Sequence, residues 1–227
     1  MYTIHLKTNA IEAALLIAPK KDIRHYLNGV FITAGPEGGE IVATNGHMLY
    51  RHHVRDCTAW GGEHPRLIIP RAAAEAAVKL AKVQKLDIIQ LTISDDAIPV
   101  HQLGGLQFEP VDGRYPDYFR VIPDSVKYGQ VAKCFNTEYL RTMHKALLIG
   151  AGYGSGAKAV VNNPMLQFDR PDGGAVDSSV FSIGAGENMG IIMPVRPPKD
   201  PDSVLSENAF LSVYNRNGEN ELKKEVA

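Results

Sequence analysis

A strand, a helix and a further group of strands recur three times along this chain of 227 residues, and this order restricts the folds open to it. Alternating apolar residues predict a first strand over residues 2–7. Ile11, Ala14 and Leu15 then fall on one face of a helix that Asn9 would cap. The strands predicted after this helix are 30–33, 40–44 and 48–54. The pattern predicts a module in which one helix is backed by a sheet.

The second and third copies repeat the same order. A strand at 67–70 precedes an alanine-rich helix at about 71–82, and a strand at 130–136 precedes a helix that Asn136 or Thr137 would cap. The other strands predicted are 87–93, 97–103 and 105–110 in the second copy, and 159–163, 165–170, 176–183 and 189–195 in the third. Identity among the copies is too low to establish a duplication, so the repeat rests on pattern alone. It favours an α+β fold.

Composition is that of an ordinary globular protein. Hydrophobic residues make up 44% and charged residues 22%, and no run of about 18 apolar residues is available to span a membrane. The N-terminus lacks a signal-peptide pattern, so we expect a cytoplasmic protein without a membrane partner. Cys57 and Cys134 lie in unlike contexts and are expected to be reduced thiols. The net charge of −1 argues against direct, tight DNA binding, unless basic residues gather on one face.

Four short motifs occur in a fixed order: Tyr-Leu-Asn-Gly at 26–29, Ala-Thr-Asn-Gly-His-Met-Leu at 43–49, Asp-Gly-Arg-Tyr-Pro-Asp-Tyr at 112–118 and Met-Pro-Val-Arg at 193–196. Together they resemble the bacterial DNA polymerase III β subunit, the sliding clamp and processivity factor of DNA replication. The resemblance covers residues 1–197 and implies a DNA-clamp fold of three half-domain modules. Residues 1–123 would match the middle domain of a clamp, 124–198 half of its C-terminal domain, and 199–227 would form a C-terminal tail.

The same resemblance implies a protein-binding pocket for DNA polymerase or other proteins that carry clamp-binding peptides. An apolar groove with a few polar groups at its rim suits an extended peptide with apolar anchors. The positions that match the family's pocket are Leu27, Thr44, Gly46, His47, Met48, Leu49, Pro116, Arg120, Val121, Asn136, Tyr139, Met193, Pro194, Val195 and Arg196.

Clamps contact duplex DNA loosely and without sequence preference, through basic residues on the helices that line the ring. The resemblance and the charge pattern together suggest DNA contacts at Lys20, Lys21, Arg24, His25, Tyr26, Arg71, Lys79, Lys82, Arg141 and Lys145. For any one helix, a solvated basic face is an equally good interpretation.

The sequence alone leaves open both the number of chains in the assembly and the mode of action. If a ring needs twelve modules, four chains of three would supply it as a homo-oligomer, and a monomer or a dimer is equally compatible. The alternative function is a stand-alone adaptor or decoy, of phage or mobile-element type, that captures clamp-binding proteins without encircling DNA. Asn45, Met48 and the tail beginning at Pro197 depart from the family pattern. The apolar run 210–214 in that tail is a candidate internal ligand of the pocket.

The sequence shows no motif typical of a catalytic site or a metal site. The glycine run at 150–156 follows a helix, which is not the context of a phosphate-binding loop. His52 and His53 are adjacent on a predicted strand and would point to opposite faces, and no paired Cys or His spacing typical of zinc occurs. We therefore expect a non-enzymatic protein with no cofactor and no metal.

Overall fold

The computed structural model describes residues 2–35, 38–54, 65–94, 100–128, 133–154, 156–174, 177–183 and 187–196. The helices are α1 (Thr8–Ile17), α2 (Arg71–Gln84), α3 (Thr137–Gly150) and α4 (Ala157–Asn162), with short 3-10 helices at His25–Leu27 and Tyr118–Val121. The strands are β1 (Tyr2–Lys7), β2 (Gly29–Gly35), β3 (Gly38–Thr44), β4 (Met48–Val54), β5 (Arg66–Pro70), β6 (Ile88–Ile93), β7 (His101–Leu103), β8 (Leu106–Phe108), β9 (Lys127–Tyr128), β10 (Leu166–Asp169), β11 (Ser179–Ser182) and β12 (Asn188–Ile192).

The strands form two antiparallel sheets that exchange their first strands. One sheet has the order β1-β6-β7-β8, and the other has the order β5-β2-β3-β4-β12-β11-β10-β9. The first strand of each of the first two modules therefore lies in the sheet of the other module. In the larger sheet β12 continues from β4, with Ile192 opposite Met48 and Asn188 opposite His52. This pairing joins the third module to the first.

The helices form one layer against the sheets. Helix α1 lies between α2 and α3 and is buried on most of its circumference, which its small residues Ala10, Ala13 and Ala14 permit at close packing distance. A continuous apolar core fills the space between this layer and the strands. A second, smaller apolar cluster around Phe31, Leu49 and Tyr118 lies apart from the main core. The α+β architecture expected from the sequence is confirmed.

Three local predictions differ from the structure. The strand predicted at 130–136 lies outside the described residues at 130–132, and 133–136 contain only a single bridge residue, Cys134. The strand predicted at 159–163 is part of helix α4, because the helix-favouring residues Ala157, Lys158 and Ala159 begin a turn that the valines then continue. Asn9 does not cap α1, which already begins at Thr8; its side chain instead donates to the carbonyl of Gly150, 3.3 Å away. By contrast, Asn136 caps α3 as predicted, accepting a hydrogen bond from the Glu138 backbone N–H at 2.9 Å.

Residues 195–227 form a separate unit from 1–194. Within it Val195 and Arg196 are exposed, and the candidate ligand run 210–214 lies outside the described residues. No helix among the described residues is long and apolar enough to cross a membrane.

Gly150 is a close-packing position in the helix layer. A Cβ at this residue would lie 2.1 Å from the hydroxyl oxygen of Tyr50, whose ring is fully buried. We therefore expect Gly150→Ala to destabilise the fold by about 1–3 kcal/mol through overpacking, although alanine is normally the better helix residue. Urea unfolding measures the change.

A double-mutant cycle identifies the cause. The Tyr50 hydroxyl has no hydrogen-bond partner among the described residues, so Tyr50→Phe alone should cost little. Adding Tyr50→Phe to Gly150→Ala should recover most of the lost stability. If the two losses simply add, the contact with the hydroxyl is not the cause.

Candidate functional site

Residues from all four sequence motifs meet in one groove of about 260 Å³. The groove lies where the 3-10 helix His25–Leu27, the turn between β3 and β4, the end of β12 and the segment 116–121 come together. We call that last segment the wall segment. The side chains that line the groove are Arg24, Tyr26, Leu27, Thr44, Gly46, His47, Met48, Leu49, Pro116, Asp117, Tyr118, Val121, Ile191 and Met193.

The β3–β4 turn is held in shape by its own polar side chains. The Thr44 hydroxyl donates to the Met48 carbonyl at 2.8 Å, and the Asn45 side-chain oxygen accepts from the backbone N–H groups of His47 and Met48 at 2.9 and 2.8 Å. Gly46 has a φ of +89°, which favours glycine, and a Cβ there would lie 2.9 Å from the Arg24 guanidinium. The motif therefore fixes a rigid edge of the groove.

The floor of the groove is apolar and its rim is partly open. Leu27, Leu49 and Ile191 are almost completely buried beneath it. Val121 and Met193 remain 38% and 37% exposed, so they present apolar surface that a bound peptide would cover. The arrangement can bury aliphatic or aromatic side chains of an extended segment.

Polar groups stand along the rim. The Arg24 guanidinium pairs with Asp22 at 2.8 Å and donates to the Asn45 carbonyl at 3.1 Å. Hydrogen bonds from the side chain and backbone of Arg24 lower the pKa of Asp22 to about 2, so this pair stays ionised across the physiological range. On the other side, the His47 ring stacks on Tyr139 of α3, with 5.6 Å between ring centroids.

Not every predicted pocket residue lines the groove. Arg120 is exposed and pairs with Asp117 at 3.1 Å, Asn136 caps α3, and Tyr139 reaches the groove through its contact with His47. Pro194 is partly buried outside it. Val195 and Arg196 belong to the other unit.

Five lining residues were absent from the predicted pocket residues, and three of these were absent from every predicted site. Asp117 and Tyr118 belong to the third motif, so the signal was present, and Ile191 follows from the inward alternation of the strand that leads to Met193. Arg24 and Tyr26, predicted to contact DNA, also line the groove.

The other predicted DNA-contact residues differ in whether their charges are paired with carboxylates. On α2 and α3, Lys79 and Lys145 are exposed and make no ion pair among the described residues. Lys82 pairs with Glu12 of α1 at 2.6 Å, and Arg141 pairs with Glu138 at 2.7 Å. The latter pairing lowers the pKa of the Glu138 carboxyl. Positive charge on this face is therefore partly balanced by carboxylates.

Of the other predicted DNA-contact residues, Arg71 begins α2, and Lys20, Lys21 and His25 follow α1. Arg71 donates to the carbonyls of Leu15 and Ala18 at 2.7 and 2.5 Å, closing the C-terminal end of α1. Lys20 and Lys21 are exposed after that helix, and His25 contacts the Asp112 carbonyl at 3.0 Å. Arg71 thus supports the helix layer, whereas the two lysines extend its positive surface.

A larger groove of about 1290 Å³ lies beyond the wall segment. It shares Pro116, Asp117 and Tyr118 with the smaller groove, and its remaining lining mixes aromatic residues with charges of both signs. Of the predicted pocket residues, only Pro116 lines this larger groove. Among the described residues, no group of three His, Cys, Asp or Glu side chains is placed to hold a metal ion.

The exchanged strands, the single helix layer and the motif-lined groove define a protein of the DNA-clamp fold. Solved structures agree: the Helicobacter pylori β clamp bound to a DNA ligase peptide matches with a TM-score of 0.59 at 11% identity, over 86% of this chain and 66% of that one.

Sequence comparison gives the particular family that the chain is similar to, the bacterial β sliding clamps. The clamp of Proteus mirabilis is 29% identical over 126 residues, covering 55% of this chain and 34% of that protein. The clamp of Caulobacter vibrioides is 32% identical over 108 residues, covering 45% and 28%. The matched region thus spans about a third of the curated relatives' length. No family model matches. The resemblance drawn from the motifs is confirmed.

Proposed function

We propose that this protein is a sliding-clamp-like factor of DNA replication that tethers a DNA polymerase or another partner to DNA. Its groove would bind an extended clamp-binding peptide of the partner, with apolar anchors on Leu27, Leu49 and Met193. The convergence of all four motifs on one partly exposed apolar groove carries the proposal. The protein would act by binding alone, without catalysis.

A solved relative supports the peptide part of this proposal. The H. pylori β clamp has been seen with a DNA ligase peptide bound, and this chain shares its fold. Burial of a few apolar side chains in a preformed groove supplies affinity, while backbone groups along the rim fix the direction of the peptide. The rigid β3–β4 turn means that little ordering is required on binding.

The helix layer supports the DNA part. Lys20, Lys21, Lys79 and Lys145 would face phosphates through long, mobile side chains, giving attraction without base recognition. Such contacts are compatible with sliding, because no single position on the duplex is preferred.

One observation favours a second candidate, an adaptor that captures clamp-binding proteins without encircling DNA. The ion pairs of Lys82 with Glu12 and of Arg141 with Glu138 offset part of the positive charge, and the whole chain has a net charge of −1. DNA attraction is then weak, whereas the groove is unaffected.

Retention on DNA separates the two candidates. For a clamp, we expect the protein to stay on circular duplex DNA but to leave linear DNA, in a salt-sensitive manner. Replacing both Lys79 and Lys145 by alanine should reduce the slope of log K against log salt by about 1.8, since each phosphate contact contributes about 0.9. Filter binding at several salt concentrations measures this slope.

The matched control is Lys127→Ala, which removes an exposed lysine on β9 and should leave the slope unchanged. A protein that is retained on neither DNA form, while still binding peptide, would be the adaptor.

A further inference from the structure

The wall segment has little internal structure to hold it in place. It is a single turn of 3-10 helix, Tyr118–Val121, and Asp117 before it makes no capping hydrogen bond. Yet this segment supplies Pro116, Tyr118 and Val121 to the groove. Its position must therefore be set by contacts with the sheet beneath it.

Those contacts converge on Tyr118. Its side chain is 5% exposed and packs edge-on against Phe31 of β2, with ring centroids 6.2 Å apart. Its hydroxyl donates to the Glu40 carboxylate of β3. Burial and this carboxylate raise the pKa of the Tyr118 hydroxyl, so it remains a donor.

Arg51 of β4 is the third member of this cluster, beside Tyr118 and Glu40. Its Nε donates to Glu40 Oε1 at 3.0 Å, and its guanidinium lies 5.8 Å from the Phe119 ring centroid. Its Nη1 lies 3.8 Å from the sulfur of Met189 on β12. Arg51 therefore contacts the first module, the third module and the wall segment at once.

We infer that Glu40 and Arg51 are positioning residues of the peptide groove. Neither side chain lines the groove, and neither belongs to a sequence motif. They hold Tyr118 and Phe119 on the sheet, so that Val121 lines the groove together with Met193 and Leu27. This inference rests on the proposed function, because it assigns the cluster a role in the affinity of the same site.

The side chains of this cluster are mostly buried, so removing one of them should weaken peptide binding. The Glu40 and Arg51 side chains are only 12% and 26% exposed, so water screens their interaction poorly. Without Glu40, the Tyr118 hydroxyl loses its acceptor in a buried place, and a short helix with no cap is free to move. The floor of the groove, formed by Leu27 and Leu49, stays intact.

The test compares peptide affinity among variants. The probe is a fluorescein-labelled copy of a clamp-binding DNA ligase peptide, titrated well below the unfolding temperature of every variant. We expect Glu40→Ala and Tyr118→Phe each to weaken binding about tenfold, and the double variant to be no weaker than either. Glu40→Gln, which keeps an acceptor for the hydroxyl, should recover most of the affinity. Glu12→Ala, which removes a partly buried carboxylate away from the groove, is the control.

A second measurement does not depend on the peptide. The Ile122 backbone N–H donates to the Phe119 carbonyl at 3.1 Å, so its hydrogen exchange reports on the wall segment. In Glu40→Ala this exchange should accelerate about tenfold, whereas amides in the β4–β12 pairing should keep their rates.

The outcomes distinguish the two claims. Wild-type affinity and wild-type exchange at Ile122 in Glu40→Ala would overturn the positioning role while leaving the proposed function standing. Absence of peptide binding by the folded wild-type protein would overturn the proposed function. Accelerated exchange in the variant would then still support the mechanical role of Glu40 but remove its link to affinity.

Discussion

Replacing Asp169 by alanine is expected to destabilise the protein by about 3–5 kcal/mol, because it leaves a buried ammonium group without its counter-charge. The Lys133 side chain is 0% exposed and lies 2.8 Å from Asp169 Oδ1. It also donates to the Asp177 carbonyl at 2.9 Å and to the Ser179 hydroxyl at 3.1 Å. Burial by itself raises the pKa of Asp169, but hydrogen bonds from Lys133, Ser179 and Gln167 outweigh this effect and lower the pKa below its ordinary value, so the pair is ionised.

Urea unfolding at neutral pH measures this loss. Glu138→Ala, which breaks an exposed pair with Arg141, is the matched control and should cost far less, because water screens an exposed pair. Replacing both Lys133 and Asp169 by apolar residues of similar size should cost less than Asp169→Ala alone, since no charge is then left uncompensated. Equal losses for Asp169→Ala and Glu138→Ala would show that burial of the Lys133–Asp169 pair makes no difference to its contribution.

Acidification is expected to weaken the junction between the first and third modules through His52. This side chain is 2% exposed on β4, and Glu187 Oε2 lies 3.9 Å from its Nε2. Burial is the main cause that lowers its pKa to about 4; Lys7 and His53 add to the effect and Glu187 opposes it. The folded protein therefore resists a proton that the unfolded chain accepts at an ordinary pKa of about 6.5.

The direction of the pH dependence follows from the difference in proton binding between the unfolded and folded states. Between about pH 6.5 and pH 4 the unfolded state binds more protons, so stability falls as the pH falls, by about 3 kcal/mol in total. Above pH 6.5 this contribution is fully present. Unfolding free energies measured across this range should show a weaker pH dependence in His52→Leu than in the wild type. His53→Leu, at the neighbouring β4 position, removes only a minor cause of the low His52 pKa and should reduce the dependence much less than His52→Leu. An unchanged slope in His52→Leu would exclude His52 as its source.

Periodicity predicted most of the fold because most elements bury one regular face. The strand predicted at 48–54 and the helix that Asn136 caps are both observed, since alternation and capping act locally. Helix α4 was missed because Val160 and Val161 favour strands, whereas the alanines and lysine before them favour a helix. The sequence pattern also gave no sign that β12 would pair with β4, because that pairing joins residues about 140 apart.

The motifs indicated side chains that line the groove directly, but they gave no signal for residues that support the groove from a distance. Leu27, Pro116 and Met193 lie in motifs and line the groove. Glu40 and Arg51 carry no motif and meet Tyr118 only because β3 and β4 pair beneath the wall segment. The pairing of charges was likewise not predictable. The sequence shows Lys82 and Arg141 as basic, but only the structure shows the carboxylates beside them.

Peptide binding in the groove is the central claim, and fluorescence anisotropy tests it most directly. A fluorescein-labelled DNA ligase peptide of the clamp-binding kind is titrated with the wild-type protein and with Val121→Ala, Met193→Ala and Val83→Ala. Val121 and Met193 lie at the groove, whereas Val83 is 76% exposed on α2 outside it. If the groove binds the peptide, we expect micromolar binding by the wild type and by Val83→Ala, and about tenfold weaker binding by each groove variant, because this is the pattern that the claim requires. Failure of the folded wild-type protein to bind, or equal binding by all four proteins, would contradict it.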